Sequence, residues 1–248
     1  MSGSRDLEFA DKRAEGGVVP HAHGLVCLPP AGASSAYFQG WPALVGPHMS
    51  MFAPELPGRL SRFSDPPLTS IRAMADHVLQ EMRGHGWPAS FSVFGHSMGA
   101  LVAFELVRAI EERGDARPAM LHVSAHAAPH VPRRPGPDLA SDASVIRYFA
   151  KLNGRPASRD LVELMLPTIR ADLAACASYE PPGDVVLATP ITAHHGTRDS
   201  SVGPMHLTGW RRHTRGGFRV RQHPGDHHFP LGSAKGLVAE IVRNASVA

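Results

Sequence analysis

Ser97 is the residue whose surroundings point most directly to chemistry. It sits in Gly95-His96-Ser97-Met98-Gly99, with a glycine two positions to either side. In a chain with 24 glycines the Gly-x-Ser-x-Gly pattern alone is weak. Its setting makes it specific. It follows a strand-like run, Ser90 to Phe94, and opens a helical run, Ala100 to Arg113, that stops at Gly114. A strand-to-helix turn this tight has no room for side chains beside the serine, so the glycines are a steric requirement. The turn exposes the hydroxyl at a helix N-terminus, where amide groups and the helix dipole stabilise a developing oxyanion. A glycine-rich turn with a capping serine is the plainer alternative. The combined pattern favours a nucleophile.

A serine nucleophile needs a base, and the base needs an orienting acid. The turn resembles the serine turn of α/β-hydrolases, which implies the chain order serine, acid, histidine. Asp199 follows a late strand candidate, Pro190 to His194, through Gly196-Thr197-Arg198, and is the expected acid. Asp184 precedes that strand. Asp226 adjoins the candidate histidines, and neighbouring side chains in a turn point apart. The base is expected in Gly225-Asp226-His227-His228-Phe229, after the last strand candidate, where His227 and His228 compete. Sixteen histidines make position the only useful guide. His194 and His195 lie at a strand end and read as structural. His96 lies inside the turn and reads as packing.

The elements that must position these residues alternate. Strand candidates are Leu25–Leu28, Met49–Ala53, Ser90–Phe94, Ala119–Ser124, Pro190–His194 and Phe218–Gln222. Ser70 to Arg83 carries Ile71, Met74, Ala75, Val78, Leu79 and Met82 at helical spacing, and a final helix is expected over Ser233–Val242. Alternation of this kind implies an α/β fold with a mostly parallel sheet. Residues 126–184 break the rhythm with a proline-rich stretch and two helical runs, Asp142–Leu152 and Arg159–Ala177. An insertion there is expected to form a helical lid over the sheet's C-terminal edge, where ligands of α/β folds bind.

Composition narrows the class. Hydrophobic residues make up 43% and charged residues 19%, which excludes a disordered or coiled-coil chain. A length of 248 residues suits a single domain, expected over residues 18–248 after a disordered leader at 1–17. The polar leader has no apolar core of a secretory signal, and no apolar run is long enough to span a membrane. Two cysteines, Cys27 and Cys176, are too few for a disulfide framework or a zinc site, so no metal is expected and the cytoplasm is the expected compartment. Net charge is +3, with three lysines and no basic block, which argues against nucleic acid binding. Nothing requires more than a monomer.

Several segments, in order, resemble the stand-alone type II thioesterases of polyketide and nonribosomal peptide synthesis, which have the α/β-hydrolase fold. Leu25-Val26-Cys27-Leu28-Pro29-Pro30-Ala31-Gly32 is similar to the family's first strand and loop, and Pro57-Gly58-Arg59 with Arg62 to its Pro-Gly-Arg segment. Phe94 to Ala100 matches its serine turn. Leu152-Asn153-Gly154, Arg170-Ala171-Asp172 and Tyr179 resemble its lid signatures. Gly196-x-x-Asp199, Trp210 and Pro224-Gly225-Asp226-His227 fit its acid and histidine loops. The resemblance covers nearly the whole chain, Leu25 to Val242. Two departures stand out: Ala33 stands where a second glycine is usual, and His228 and Pro230 fall in an otherwise apolar segment.

The resemblance implies Ser97 as nucleophile, Asp199 as acid and His227, rather than His228, as base. The backbone amides of Met98 and Ala31 would form the oxyanion hole. It implies hydrolysis of acyl groups from the phosphopantetheine arm of an acyl or peptidyl carrier protein, an editing role, with no cofactor beyond the arm that the substrate carries. Tyr148, Phe149, Leu152, Met165 and Ile169 are expected to line the acyl chamber. A general carboxylesterase using the same triad, or a catalytically silent binding module, are the competing readings.

Overall fold

Six short runs of Leu, Val, Phe, Met and Ile, each bounded by Gly, Pro or Ser, pair into one sheet in the computed structural model. It describes residues 23–245 apart from 48, 87, 89, 133–134, 154–158 and 182. The expected leader at 1–17 and Gly154 lie outside the described residues. The elements are β1 (His23–Leu28), α1 (Pro42–Val45), β2 (Met49–Phe52), α2 (Ile71–His85), β3 (Phe91–His96), α3 (Met98–Arg113), β4 (Met120–Ser124), α4 (Asp142–Asn153), α5 (Arg159–Ser178), β5 (Ile191–Gly196), α6 (Pro204–Thr208), β6 (Phe218–His223), α7 (Phe229–Gly232) and α8 (Ala234–Ala245). The sheet order is β2-β1-β3-β4-β5-β6, and all five pairings are parallel. Because the chain moves outward to β2 and then back across β1 to β3, the strand order reverses at β1/β3. The carboxyl ends of those two strands form the crevice where α/β sheets bind ligands.

A parallel sheet is covered on both faces, so its strands carry apolar residues on both. In β1, Val26 and Leu28 pack toward α2 and α3, while Leu25 and Cys27 pack toward α1 and α8. Helix α2 buries the six apolar residues expected from their spacing, and Ser70 caps it by accepting the Ala73 N–H at 3.2 Å. Apart from Ala75, each of these apolar side chains contributes about 1.5–3 kcal/mol when fully buried. Helix α3 starts at Met98, two residues earlier than the apolar pattern suggests, and ends at Gly114 in the left-handed conformation. Strand β3 runs to His96, so Ser97 alone joins strand to helix.

Helices α4 and α5 fall between β4 and β5 and share a small core of Val145, Val162, Leu166, Ile169 and Leu173. Pro167 lies inside α5. It has no N–H to give the preceding turn, which weakens the helix there. The half after Pro167 is tied down. Thr168 Oγ1 donates to the Gly58 carbonyl at 2.7 Å, Asp172 pairs with Arg59, and just past the helix end the Tyr179 hydroxyl donates to Glu105 Oε1 at 2.6 Å. The half before it carries the exposed side chains Leu161 and Leu164. Among the described residues, no helix is long and apolar enough to cross a membrane.

Candidate active site

Three loops at the carboxyl end of the sheet deliver the predicted chemical groups. The first is the β3–α3 turn. Ser97 has φ 53° and ψ −118°, a conformation costing about 1–3 kcal/mol for a residue with a side chain. A Cβ on Gly95 would lie 2.0 Å from the Gly99 carbonyl oxygen, and one on Gly99 would lie 2.2 Å from the Leu28 carbonyl oxygen. Both glycines are therefore obligatory, and the second lets the turn press against the end of β1.

The second loop follows β5. The Asp199 carboxylate is fully buried, and Oδ1 accepts from Ser201 N at 2.8 Å, Ser201 Oγ at 2.5 Å and Val202 N at 3.3 Å. The third follows β6. It lies close against the second: a Cβ on Gly196 would meet the Asp226 carbonyl oxygen at 2.3 Å. His227 Nδ1 lies 2.9 Å from Asp199 Oδ2, and its Nε2 lies 3.1 Å from Ser97 Oγ. With Nδ1 donating to the carboxylate, Nε2 is left to accept the serine proton. Burial pushes the Asp199 carboxyl up, but the hydrogen bonds from His227 and Ser201 outweigh it and hold the group below the usual carboxylate range.

The competing residues lie elsewhere. His228 turns away from Ser97, with Nδ1 3.1 Å from the Tyr37 hydroxyl. Burial pushes its pKa down to about 4. Pro230 occupies the first turn of α7, where no N–H is needed. Asp184 is exposed and pairs with Arg212 at 2.5 Å, while Asp226 Oδ1 accepts the His228 N–H at 2.9 Å. His96 stacks on Tyr37, and its Nδ1 lies 2.9 Å from Ser124 Oγ. Burial, with His227 and His228 close by, pushes His96 well below the usual imidazole range. His194 joins a buried chain, 3.0 Å from His122 on one side and 3.0 Å from His223 on the other. His195 Nδ1 lies 3.1 Å from the Gly196 carbonyl.

A cavity of about 440 Å³ opens over Ser97 and His227. Ala31 and Met98 line it. Met98 is the first residue of α3, so its amide has no intrahelical acceptor. Ala31 belongs to a turn closed by Ala33 N donating to the Pro30 carbonyl at 3.1 Å, with Gly32 at φ 72°. That turn needs glycine at its third position, residue 32, and not at Ala33. Of the residues expected to line the chamber, Tyr148 and Leu152 do so, together with Leu139, Leu173 and Cys176. Phe149, Met165 and Ile169 are not among the lining residues. Met165 packs in the α4–α5 core, and Ile169 and Phe149 also press on Gly32, where an added Cβ would lie 2.7 and 3.0 Å from them. Helical spacing marks a buried face without telling cavity from core.

The match to known proteins agrees with this geometry. The thioesterase domain model matches residues 23–245. This chain belongs to the thioesterase domain family. It is 34% identical to the gramicidin S biosynthesis protein GrsT of Aneurinibacillus migulanus, covering 83% of this chain and 82% of that one. Thioesterase PikA5 of Streptomyces venezuelae is 32% identical, covering 83% and 74%. Among solved structures, the type II thioesterase BorB from the borrelidin biosynthetic cluster superposes with a TM-score of 0.85 at 30% identity, covering 97% and 96%. The six-stranded parallel sheet and its flanking helices match the α/β-hydrolase fold of that thioesterase structure.

Sequence reasoning passed over Ser201, whose hydroxyl holds Asp199 Oδ1 and lies 3.0 Å from His227 Nδ1. An aspartate followed two residues later by serine is a turn signal that could have found it. It also gave Arg59 and Asp172 no role.

Proposed function

We propose that this thioesterase hydrolyses acyl groups from the phosphopantetheine arm of acyl or peptidyl carrier proteins, clearing stalled or misprimed units in polyketide or nonribosomal peptide synthesis. The observation that carries the reading is the Ser97–His227–Asp199 chain of hydrogen bonds at 3.1 and 2.9 Å, opening into an apolar cavity under α4 and α5. Ser97 Oγ attacks the thioester carbonyl carbon as His227 Nε2 takes its proton. The amides of Met98 and Ala31 receive the oxyanion, an effect worth a few kcal/mol per donor. The C–S bond breaks, and the thiolate leaves with the proton from His227. Water, deprotonated by the same nitrogen, then attacks the acyl-serine and releases the acid and free Ser97. Asp199 holds the ring in the required tautomer throughout.

Helices α4 and α5 serve as the lid, within residues 126–184, and the arm enters beside them. The mechanism needs no metal and no cofactor other than the arm borne by the substrate. The cytoplasm is the compartment this reading assigns, and a monomer suffices for the chemistry. The names of the relatives from gramicidin S and borrelidin biosynthesis support the substrate class.

The test compares kcat/KM for one acyl group presented on a carrier protein and as a p-nitrophenyl ester. The reading predicts a preference of at least about tenfold for the carrier, since binding contacts remote from the reacting bond favour it. Equal rates, or a preference for the ester, would make the enzyme a general carboxylesterase.

A further inference from the structure

The turn that carries Ala31 is held by side chains distant from it in the sequence. Gly32 N donates to Asp172 Oδ2 at 2.8 Å, and Arg59 Nη1 donates to the Ala33 carbonyl at 2.9 Å. Arg59 and Asp172 clasp each other in two parallel bonds, Nη1 to Oδ2 at 3.1 Å and Nη2 to Oδ1 at 3.0 Å. Their side chains are 1% and 0% exposed. Ile169 and Phe149 press on Gly32 from above. Next to Arg59, the Gly58 carbonyl accepts from Thr168 of the same helix, α5.

A buried arginine–aspartate pair is a poor source of net stability, because desolvation offsets most of its attraction. What this pair does provide is direction. Bidentate geometry fixes both groups, and each spends a remaining hydrogen-bonding site on one peptide group of the Pro30–Ala33 turn. We infer that Arg59 and Asp172 are positioning residues that tie the Ala31 oxyanion donor to helix α5, so that the oxyanion hole is complete only while α5 is seated. Neither touches the reacting atoms. The inference rests on the proposed role of Ser97 and the Ala31 amide, and adds to it a mechanical link between the inserted helices and the chemical step. Phe149 and Ile169 belong to that link rather than to the chamber wall.

Three measurements test it. The double variant Arg59→Met/Asp172→Leu removes both charges together and leaves no lone buried ion. With the protein shown folded by thermal melting, kcat on an acyl carrier should fall about 10²-fold, the loss typical of one oxyanion donor, with KM changed less than about threefold. Affinity for an acyl trifluoromethyl ketone, whose adduct with Ser97 places an oxyanion in the hole, should weaken by a similar factor, and affinity for the product acid should not. Arg59→Lys keeps the charge but loses the fork, and should fall between. In the unaltered protein, hydrogen exchange at Gly32 should be as slow as in the half of α5 after Pro167.

A folded variant with wild-type kcat and ketone affinity, or rapid exchange at Gly32 while α5 is protected, overturns the inference. Failure of the proposed function looks different: the wild type itself would release no acyl group beyond the Ser97→Ala background.

Discussion

Ser97 is held in a conformation that a residue with a side chain adopts only under constraint, and that constraint presents its hydroxyl to His227. Ser97→Ala should lower kcat by about 10⁴-fold or more while leaving the fold intact. Asp199→Asn should cost on the order of 10³–10⁴-fold, because an amide no longer selects the tautomer with Nε2 free. Ser201→Ala leaves Asp199 Oδ1 with two backbone donors, so kcat should fall only about two- to tenfold. Steady-state kinetics on an acyl carrier, beside thermal melts, check all three. The positions of Ser97, Asp199 and His227 were legible because the strand–turn–helix setting marks the serine, and the α/β-hydrolase chain order points to the later loops for the other two. Choosing His227 over His228 needed either the family resemblance or the coordinates, since adjacent residues differ only in where their side chains turn. Arg59 and Asp172 lie 113 residues apart, and no local pattern announces such a pairing.

The strands and long helices could be read from apolar periodicity and their Pro, Gly and Ser boundaries. The short helices could not, because α1, α6 and α7 have four or five residues, too few to show a period of 3.6. The serine turn makes the sharpest prediction for an element. Gly95→Ala and Gly99→Ala place a Cβ within 2.0 and 2.2 Å of backbone oxygens that cannot yield. Each should cost at least about 3 kcal/mol in urea denaturation or prevent folding. Where the inserted helices meet the rest of the protein, Tyr179→Phe strips the buried Glu105 Oε1 of its 2.6 Å donor. It should cost about 1–3 kcal/mol, and exchange should quicken at the end of α5. The α4–α5 pair was expected from the break in strand–helix rhythm. Its attachment through Arg59 was not, because buried charges at loop and helix positions look like surface residues in sequence.

Taken across the molecule, the histidines matter more than the small net charge. Burial pushes His23, His96, His122, His194, His213, His223 and His228 below the usual imidazole range. For a base whose folded pKa is depressed, the unfolded chain binds more protons between the two values. Stability is then fully present above the unfolded pKa of about 6.5 and is lost as the pH falls below it. For His228 the window runs from about 6.5 down to about 4. His227 and His96 face it, as do Asp199, Asp226 and the Tyr37 hydroxyl. The melting temperature should therefore fall steeply between pH 6.5 and 5. His228→Phe should recover about 2 kcal/mol of the loss at pH 5, less what Tyr37 forfeits with its partner. A flat profile from pH 7 to 5 would mean the histidines stay solvated.

The most direct test of the whole account is release of an acyl group from a carrier protein by wild type and Ser97→Ala, followed by intact-protein mass spectrometry on both partners. The account predicts loss of the acyl mass from the carrier and its transient gain at Ser97 of the wild type, with neither event in Ser97→Ala. Equal release by the two proteins, or an acyl group captured on another residue, would contradict it.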